Sequence, residues 1–147
     1  MCIAVGVLPA AAAPISFNRD VRPILANHCF ACHGPDGGQR QAELRLDIEG
    51  LAKADRDGSF VIQPGNVVAS MLVTRIQESD QDLIMPPQHF QKPLTDQQRE
   101  ILKRWIEEGA IWESHWAFRP LQRSQPPRIR GAKILNEIDS YVIDHLQ

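Results

Sequence analysis

Apolar residues recur every three or four positions in several stretches of this chain, the spacing typical of amphipathic helices. Residues 18–28 predict the first such helix, with Asn18 as its N-cap and Pro23 in its first turns, where a missing N–H does least harm. The apolar face of this helix consists of Val21, Ile24, Leu25 and His28. A second helix is predicted for residues 66–76, directly after a Pro-Gly turn.

The sequence LTDQQREILKRWIEEG, which starts at Leu94, predicts the clearest helix of the chain. Thr95 and Gln98 form a capping box at its start, and Gly109 provides the stop at its end. Its buried stripe consists of Ile101, Leu102, Trp105 and Ile106. Local signals therefore define both ends and the inward face of this helix.

Two other stretches favour extended backbone. In ELRLDI, Leu44, Leu46 and Ile48 alternate with charged residues and so fall on one side of a strand. The stretch SFVIQPG, which begins at Ser59, is a second short apolar run. Together they predict a small two-stranded β pair. The expected fold class is therefore mainly α, with this pair as its β element.

Changes in composition divide the chain into four segments. Residues 1–13 carry no charge and combine a short apolar run with PAAAA, the pattern of an incomplete secretory signal peptide. Residues 15–118 form the predicted main domain. Residues 119–133 are rich in Pro and Arg and predict a linker, and residues 134–147 predict the truncated start of a following helical domain. The apolar face of that last helix consists of Ile134, Ile138, Tyr141, Val142 and His145.

Charge and composition narrow the classes of partner. The 147 residues are 43% hydrophobic and 23% charged, which is typical of a soluble globular protein. The net charge of −2 gives no reason to expect nucleic acid or an anionic membrane as partner. The apolar run near the N-terminus is too short to span a bilayer, so we expect no membrane span in the mature chain. We expect export to the periplasm or cell envelope, with Cys2 removed in the signal peptide; the alternative is a frayed apolar N-terminus on a cytosolic protein.

The stretch HCFACHGP carries the strongest chemical signal, a C-x-x-C-H motif formed by Cys29, Cys32 and His33. In such a motif the two thiols add to the vinyl groups of haem as thioethers, and the histidine ligates the iron. The pattern therefore predicts one covalent haem c and its iron as cofactors. His33 is expected to donate its free ring N–H to a carbonyl of the GPDGG turn that follows it.

Three other interpretations of these cysteines fit less well. A zinc site needs four ligands, and the chain offers one cysteine pair with His33 too close to complete an easy tetrahedron. A thioredoxin-like dithiol follows a strand and starts a helix, whereas here a predicted helix precedes the pair and a glycine turn follows it. A disulfide between such closely spaced cysteines would be strained and leaves His33 unexplained.

Haem needs a second axial ligand, and Met85 in DLIMPP is the predicted one. The two prolines that follow Met85 restrict the backbone and so lower the entropy cost of holding its thioether at the iron. His89 is the competing ligand and would give a bis-histidine site of lower potential. Met71 is assigned to core packing, because its helix offers several other apolar residues. His28 is expected to be a surface residue or a neighbour of the haem ligands.

Three residues are candidates for the haem environment. Arg45 and Arg75 are flanked by apolar residues and are candidate partners of the haem propionates, although both are equally compatible with a solvated surface position. Trp105 packs either on the haem edge or in the core against the N-terminal helix. One end of the domain, or a docking surface, is formed by Trp112, His115 and Trp116.

The order of these motifs resembles the planctomycete-type cytochrome c domain, which belongs to the monohaem c-type cytochromes. Residues 16–120 carry the resemblance through SFNRDVRPILANHCFACHGPDG, LRLD, QPGN, SMLVTRI, IMPP and LTDQQREILKRWIEEGAIWESHWAFRP. It implies thioether attachment at both cysteines, iron held by His33 and Met85, and a cytochrome c-like helical fold. It also implies that the helix before the motif packs across the helix containing Trp105. The tail is similar to the opening of the uncharacterised domain that usually follows in this family.

Two classes of function follow. A haem with His33 and Met85 at its axial positions has no open site for substrate and passes electrons through its exposed edge. The first class is therefore an electron carrier without catalysis, which meets an unidentified redox protein partner and is expected to be a monomer. The alternative is a peroxidase-like haem enzyme or gas sensor in which Met85 detaches. The first is favoured, because the methionine loop has no distal His–Arg pair near it in the sequence.

Overall fold

The computed structural model describes residues 13–114, 117, 124–131 and 133–146, and its regular structure is mainly helical. The α-helices are α1 Arg22–His28, α2 Phe30–His33, α3 Glu49–Ala52, α4 Met71–Gln77, α5 Asp96–Glu107 and α6 Glu137–His145. The shorter elements are a π-helical turn at Phe17–Val21, a 3₁₀ turn at Gln88–Phe90, and strands β1 Asp55–Arg56 and β2 Ser59–Phe60. The predicted fold class, mainly helical with a small β pair, is confirmed. The chain divides into two compact units, Met1–Trp116 and Ala117–Gln147.

The first predicted helix consists of two parts, the π-helical turn and α1. Its N-cap is Ser16, whose hydroxyl accepts a hydrogen bond from the amide of Arg19 at 3.4 Å. The prediction of Asn18 as N-cap is wrong, because the Asn18 side chain donates instead to the carboxylate of Glu113 at 3.1 Å. The predicted apolar face is confirmed, since the structure buries Val21, Ile24, Leu25 and His28.

His28 is only 8% exposed, so the surface alternative for this residue is wrong. Its Nδ1 lies 2.9 Å from the carbonyl oxygen of Lys92. Its Nε2 lies 3.2 Å and 3.3 Å from the side-chain amide nitrogens of Asn27 and Gln98, which are donors. The ring therefore carries its proton on Nδ1, and it joins α1 to α5 and to the loop that precedes α5.

The prediction for α5 is confirmed at both ends of the helix. The hydroxyl of Thr95 accepts from the amide of Gln98 at 3.2 Å, and Oε1 of Gln98 accepts from the amide of Thr95 at 2.9 Å. Gly109 has a φ of 99°, a left-handed conformation that ends the helix without a steric clash. Its inward face consists of the half-buried Ile101 and the buried Leu102, Trp105 and Ile106.

Trp105 lies in the core with 1% of its surface exposed, which is one of the two alternatives predicted for it. Its ring centroid is 5.6 Å from that of Phe17 and 5.7 Å from that of Trp112. The rings of Phe17 and Trp112 stack on each other, with their centroids 4.1 Å apart. The indole N–H donates to the carbonyl of Ile111 at 2.9 Å. The N-terminal helical segment therefore packs on α5, the arrangement that the family resemblance implies.

The β pair is a hairpin of β1 and β2 around Asp57 and Gly58. These two residues have φ values of 55° and 83°, the left-handed conformations that a type I′ turn requires and that Asp-Gly favours. The carboxylate of Asp55 accepts from the amide of Gly58 at 2.7 Å. The predicted pairing of ELRLDI with SFVIQPG is wrong, although the second stretch contributes β2.

The ELRLDI stretch pairs with the end of α2 instead. The amide of Leu46 donates to the carbonyl of His33 at 2.8 Å. Leu46 is buried, Leu44 is half-buried and Ile48 is exposed, so the alternation does not produce a single apolar face. This return of the chain to α2 brings residues 41–46 beside the cysteine motif.

Helix α4 begins at Met71 rather than at Asn66. The side-chain oxygen of Asn66 accepts from the amide of Ala69 at 3.0 Å, and the hydroxyl of Ser70 donates to the carbonyl of Asn66 at 2.8 Å, so a turn precedes the helix. Met71 is 40% exposed, and its assignment to the core is wrong. It falls outside the buried face of the helix, which consists of Leu72, Val73 and Ile76.

The second unit contains α6, which the sequence predicts. The side chain of Asn136 accepts from the amides of Ile138 and Asp139 at 2.9 Å and 3.1 Å and so caps the helix. The hydroxyl of Tyr141 donates to the carbonyl of Ser124 at 3.1 Å. The boundaries assigned to the linker and to a following domain stay predictions.

Some sequence predictions concern residues outside the described ranges. They are the signal peptide over residues 1–12 with its Cys2, and the roles assigned to His115 and Trp116. Within the described part of the chain, no helix is both long enough and apolar enough to cross a membrane.

Candidate haem site

The C-x-x-C-H motif forms one helical turn. The amide of His33 donates to the carbonyl of Cys29 at 2.8 Å, and the amide of Cys32 donates to the same carbonyl at 3.1 Å. Residues at positions i, i+3 and i+4 share one face of a helix, so this turn presents the two thiols and the imidazole together. Both cysteines are half-buried free thiols.

Gly34 ends this turn directly after the histidine. A Cβ at this position would lie 2.2 Å from the carbonyl oxygen of Phe30, which leaves no room for a side chain. The chain then folds back, and the amide of Gln41 donates to the carbonyl of Cys32 at 2.8 Å. The glycine turn that the sequence predicts therefore returns the backbone to the motif.

The imidazole of His33 is oriented by a backbone carbonyl. Its Nδ1 lies 3.3 Å from the oxygen of Gln41, so Nδ1–H donates there and Nε2 is left for a metal ion. The predicted carbonyl partner comes from Gln41 rather than from the GPDGG turn, because the chain folds back beyond that turn. Burial lowers the pKa of His33; the hydrogen bond to Gln41 opposes this effect, and the positive charge of Arg56 adds to it. The result favours the neutral ring that binds metals.

A cavity of about 360 Å³ lies beside the motif, within the size range of ligand pockets. Cys29, His33 and Met85 line it, so the structure brings the predicted iron ligands to one place although they lie far apart in the sequence. Most of its other walls are apolar and consist of Ala42, Leu44, Leu46, Val61, Leu72, Ile76 and Leu83. Cys32 shares the helical face of the motif but does not line the cavity.

The loop that carries Met85 is attached to α4. The amide of Met85 donates to the carbonyl of Arg75 at 2.9 Å, and Nη1 of Arg75 donates to the carbonyl of Leu83 at 3.3 Å. His89, the competing ligand, is exposed in the 3₁₀ turn and does not line the cavity. Met71 does line it and is a second thioether there, which the helical periodicity of the sequence had assigned to the core.

The arginines around the cavity differ from the predicted pair. Arg75 lines it, whereas Arg45 forms an ion pair with Asp47, with Nη2 and Oδ2 2.5 Å apart. Trp105, the third candidate for the haem environment, does not line the cavity because it is committed to the core. Arg56 lines the cavity, and sequence reasoning missed it. The signal that points to it is the Asp-Gly turn directly after it, which predicts a hairpin at this position.

Two further observations concern the other interpretations of the cysteines. Burial raises the pKa of the Cys29 thiol to about 12, and the neighbouring Cys32 adds to this effect. Reactive dithiols have lowered thiol pKa values, so the shift of Cys29 is opposite in direction to that of a redox dithiol. Across the described ranges, no group of three or more His, Cys, Asp or Glu side chains is placed where it could hold a metal ion.

Residues 29–89, which contain the motif and the methionine loop, match the family described as Planctomycete cytochrome C. The chain contains a planctomycete-type cytochrome c domain. This confirms the family that the sequence resembles, and a cytochrome c domain implies haem c with its iron as cofactor. The cavity fits that group, because it combines a thiol of the motif, an imidazole with a free Nε2, a thioether and apolar walls.

The chain also has a distant relative among curated proteins. Hydrazine synthase subunit alpha of Kuenenia stuttgartiensis is 25% identical over 127 residues, in a match that covers 68% of this chain and 16% of that protein. The chain therefore corresponds to a small part of that relative's length. No solved structure matches the chain.

Proposed function

We propose that the cytochrome c domain transfers electrons through one haem c, attached to Cys29 and Cys32, with its iron held by His33 and Met85. The observation that carries the proposal is that Cys29, His33 and Met85 line the same apolar cavity. The family match supports haem binding. With His33 and Met85 as its ligands, the iron would have no open coordination site, which favours electron transfer over catalysis.

When bound, haem c supplies an iron that gains and loses one electron. His33 is held in one orientation by the carbonyl of Gln41, and Met85 offers its thioether from a loop attached to Arg75. A thioether ligand favours reduced iron more than a second imidazole does and so raises the reduction potential. Because backbone hydrogen bonds hold both side chains in place, His33 and Met85 would need little rearrangement when the iron gains or loses an electron.

The walls of the cavity contribute in two ways. The apolar side chains exclude water, and a dry environment penalises the additional positive charge of oxidised iron. Arg75 lines the cavity and is the proposed partner of a haem propionate, because a guanidinium forms paired hydrogen bonds with a carboxylate. Both effects favour the reduced state.

An enzymatic role is the second candidate function. The observation that favours it is the relative named hydrazine synthase subunit alpha, because that name describes a subunit of an enzyme. In this alternative Met85 detaches from the iron and opens a coordination site for a small molecule. The two candidates differ in whether the sixth ligand position is available to an added ligand in the unmodified protein.

The first experiment tests the covalent haem. Protein matured in a host with the cytochrome c attachment machinery is expected to show sharp bands in the reduced state, and these bands are expected to survive acid–acetone extraction. Colourless protein, or a mass equal to that of the bare peptide, would overturn the proposal.

The second experiment tests the sixth ligand by comparing two methionines that line the same cavity. Met85→Ala is expected to abolish the weak far-red band of ferric iron bound to a thioether and to admit carbon monoxide to the reduced protein. Met71→Ala is expected to retain the band. Loss of the band in Met71→Ala alone would make Met71 the ligand, and ready carbon monoxide binding by the unmodified protein would favour the enzymatic alternative.

We also propose a location and a partner for the domain. The chain is exported to the periplasm or cell envelope, where it is a monomer that exchanges electrons with a redox protein partner. The apolar stretch of residues 1–13 supports export. Cell fractionation followed by haem staining and sedimentation of the purified protein tests these points, and haem-loaded protein confined to the cytosol would contradict export.

A further inference from the structure

We infer that Arg56 is a positioning residue, which holds the turn at residues 41–44 and thereby keeps the carbonyl of Gln41 on Nδ1 of His33. The inference rests on the proposed function, in which His33 holds the iron. It is carried by the backbone conformation of the turn, by the hydrogen bonds of the Arg56 guanidinium, and by the place of Arg56 on the wall of the haem cavity.

Residues 41–44 form a tight turn with an unfavourable sequence. The amide of Leu44 donates to the carbonyl of Gln41 at 3.1 Å, which is the hydrogen bond of a β-turn. The central residues Ala42 and Glu43 have φ values of 53° and 49°, so both are left-handed, as in a type I′ turn. Asn-Gly and Gly-Gly favour this turn, whereas the Cβ atoms of other residues oppose it. The turn therefore needs support from outside.

Arg56 provides this support. Its Nη1 donates to the carbonyl of Ala42 at 3.2 Å, and its Nη2 donates to the carbonyl of Glu43 at 3.1 Å. One rigid, planar guanidinium therefore holds the carbonyl groups of both central residues of the turn. Arg56 is itself fixed in β1, whose hairpin turn at Asp57 and Gly58 has the sequence that its conformation favours.

The carbonyl of Gln41 connects this turn to the proposed iron ligand. The same oxygen accepts from the amide of Leu44 and lies 3.3 Å from Nδ1 of His33. If the turn relaxes, this oxygen moves and the imidazole loses its partner. Because such a partner fixes the orientation of a ligating histidine and raises its basicity, Arg56 controls a property of the iron site without ligating the iron.

The experiment measures how fast the Nδ1 proton of His33 exchanges with solvent, by NMR on the reduced, haem-loaded protein. In Arg56→Gln we expect the rate to rise about tenfold, the factor that corresponds to losing about 1.4 kcal/mol of charge-assisted hydrogen bonding. Arg56→Lys keeps the positive charge but loses the paired N–H donors of the guanidinium, and we expect a smaller rise in the exchange rate. Arg22→Gln removes an exposed arginine of α1 and serves as the control, with an unchanged rate.

A rescue separates the turn from other effects of Arg56. Glu43→Gly, introduced into Arg56→Gln, removes the Cβ at one left-handed position of the turn, leaves the cavity wall at Ala42 unchanged, and is expected to restore slow exchange. An unchanged rate in both Arg56 variants overturns the inference, and so does a raised rate that Glu43→Gly leaves raised, because Arg56 then acts on the cofactor directly. If Arg56→Gln does not fold, the rescue is measured in Arg56→Lys. Unmodified protein without haem would overturn the proposed function instead.

Discussion

The backbone amide of Met85 donates a hydrogen bond to the carbonyl of Arg75 at 2.9 Å. In the other direction, Nη1 of Arg75 donates to the carbonyl of Leu83 at 3.3 Å. Both hydrogen bonds between the methionine loop and α4 thus involve one arginine. The position of the proposed thioether ligand therefore depends on α4 as well as on the prolines that follow Met85 in the sequence.

Removing the Arg75 side chain is expected to loosen the methionine loop. Arg75→Ala deletes the hydrogen bond to Leu83 and retains the backbone bond to Met85, so we expect the far-red band to survive at room temperature. On heating, the band is expected to disappear earlier than in the unmodified protein, because the loop loses about 1.5 kcal/mol of hydrogen bonding. Gln77→Ala, at an exposed position of α4, is the control. Identical melting of the band in all three proteins would mean that Arg75 does not hold the loop.

Gly34→Ala is expected to disturb haem attachment. The added Cβ would lie 2.2 Å from the carbonyl oxygen of Phe30, so the backbone next to His33 must shift. We expect a loss of about 1–3 kcal/mol in the free energy of unfolding and a lower fraction of protein with covalent haem. Gly37→Ala is the matched control, because its Cβ would meet only the Arg40 guanidinium at 4.0 Å. Denaturant unfolding and mass spectrometry give both quantities, and equal haem yields in the two variants would contradict this explanation.

Trp105→Phe is expected to weaken the fold without changing the haem spectrum. The substitution removes the hydrogen bond to the carbonyl of Ile111 and reduces packing against Phe17, so we expect a loss of about 1–3 kcal/mol in the free energy of unfolding. The midpoint potential is expected to stay the same, because Trp105 does not line the cavity. A clear shift in potential at unchanged ligation would place this indole in the haem environment after all.

Local signals explain which parts of the fold were predictable. Helix α5 carries a capping box at Thr95 and a left-handed stop at Gly109, so its limits depend on adjacent residues and were predicted correctly. The strand pair was misplaced because alternation in ELRLDI suggested a strand. This stretch is not a strand because Ala42, just before it, and Glu43, its first residue, are left-handed. The amide of Leu46 also donates to the carbonyl of His33 in α2 instead of to a neighbouring strand. Such long-range pairing leaves no periodic trace in the sequence.

The candidate site shows the same division. Cys29 and His33 were predictable because the motif is contiguous, and Met85 because two prolines mark its loop. Met71 was not predictable, because it reaches the cavity through the late start of α4 and its sequence neighbourhood resembles that of a core methionine. The Asp-Gly turn after Arg56 predicts a hairpin but does not predict that the hairpin lies against the cavity.

The Arg45–Asp47 ion pair predicts a specific loss of stability in acid. Two hydrogen bonds from Arg45, at 2.6 Å and 2.5 Å, hold the pKa of the Asp47 carboxyl below its usual value of about 3.9. A carboxyl whose pKa is lower in the folded state contributes stability above its unfolded pKa, and this contribution is lost as the pH falls through the folded pKa. We therefore expect Asp47→Asn to lower the free energy of unfolding by about 1 kcal/mol near neutral pH. The difference from the unmodified protein is expected to shrink progressively below pH of about 4.

The partner variant makes this prediction specific. Asp20 and Glu108 also have lowered pKa values, so the acid dependence of the unmodified protein is a sum, and only differences between variants isolate Asp47. Arg45→Gln is also expected to lower the free energy of unfolding near neutrality, and the double variant is expected to lie close to the two single variants, because the pair acts as a unit. Urea unfolding across the acid range measures these differences. A deficit of Asp47→Asn that stays constant down to the lowest pH would show that Asp47 acts through packing rather than through its charge.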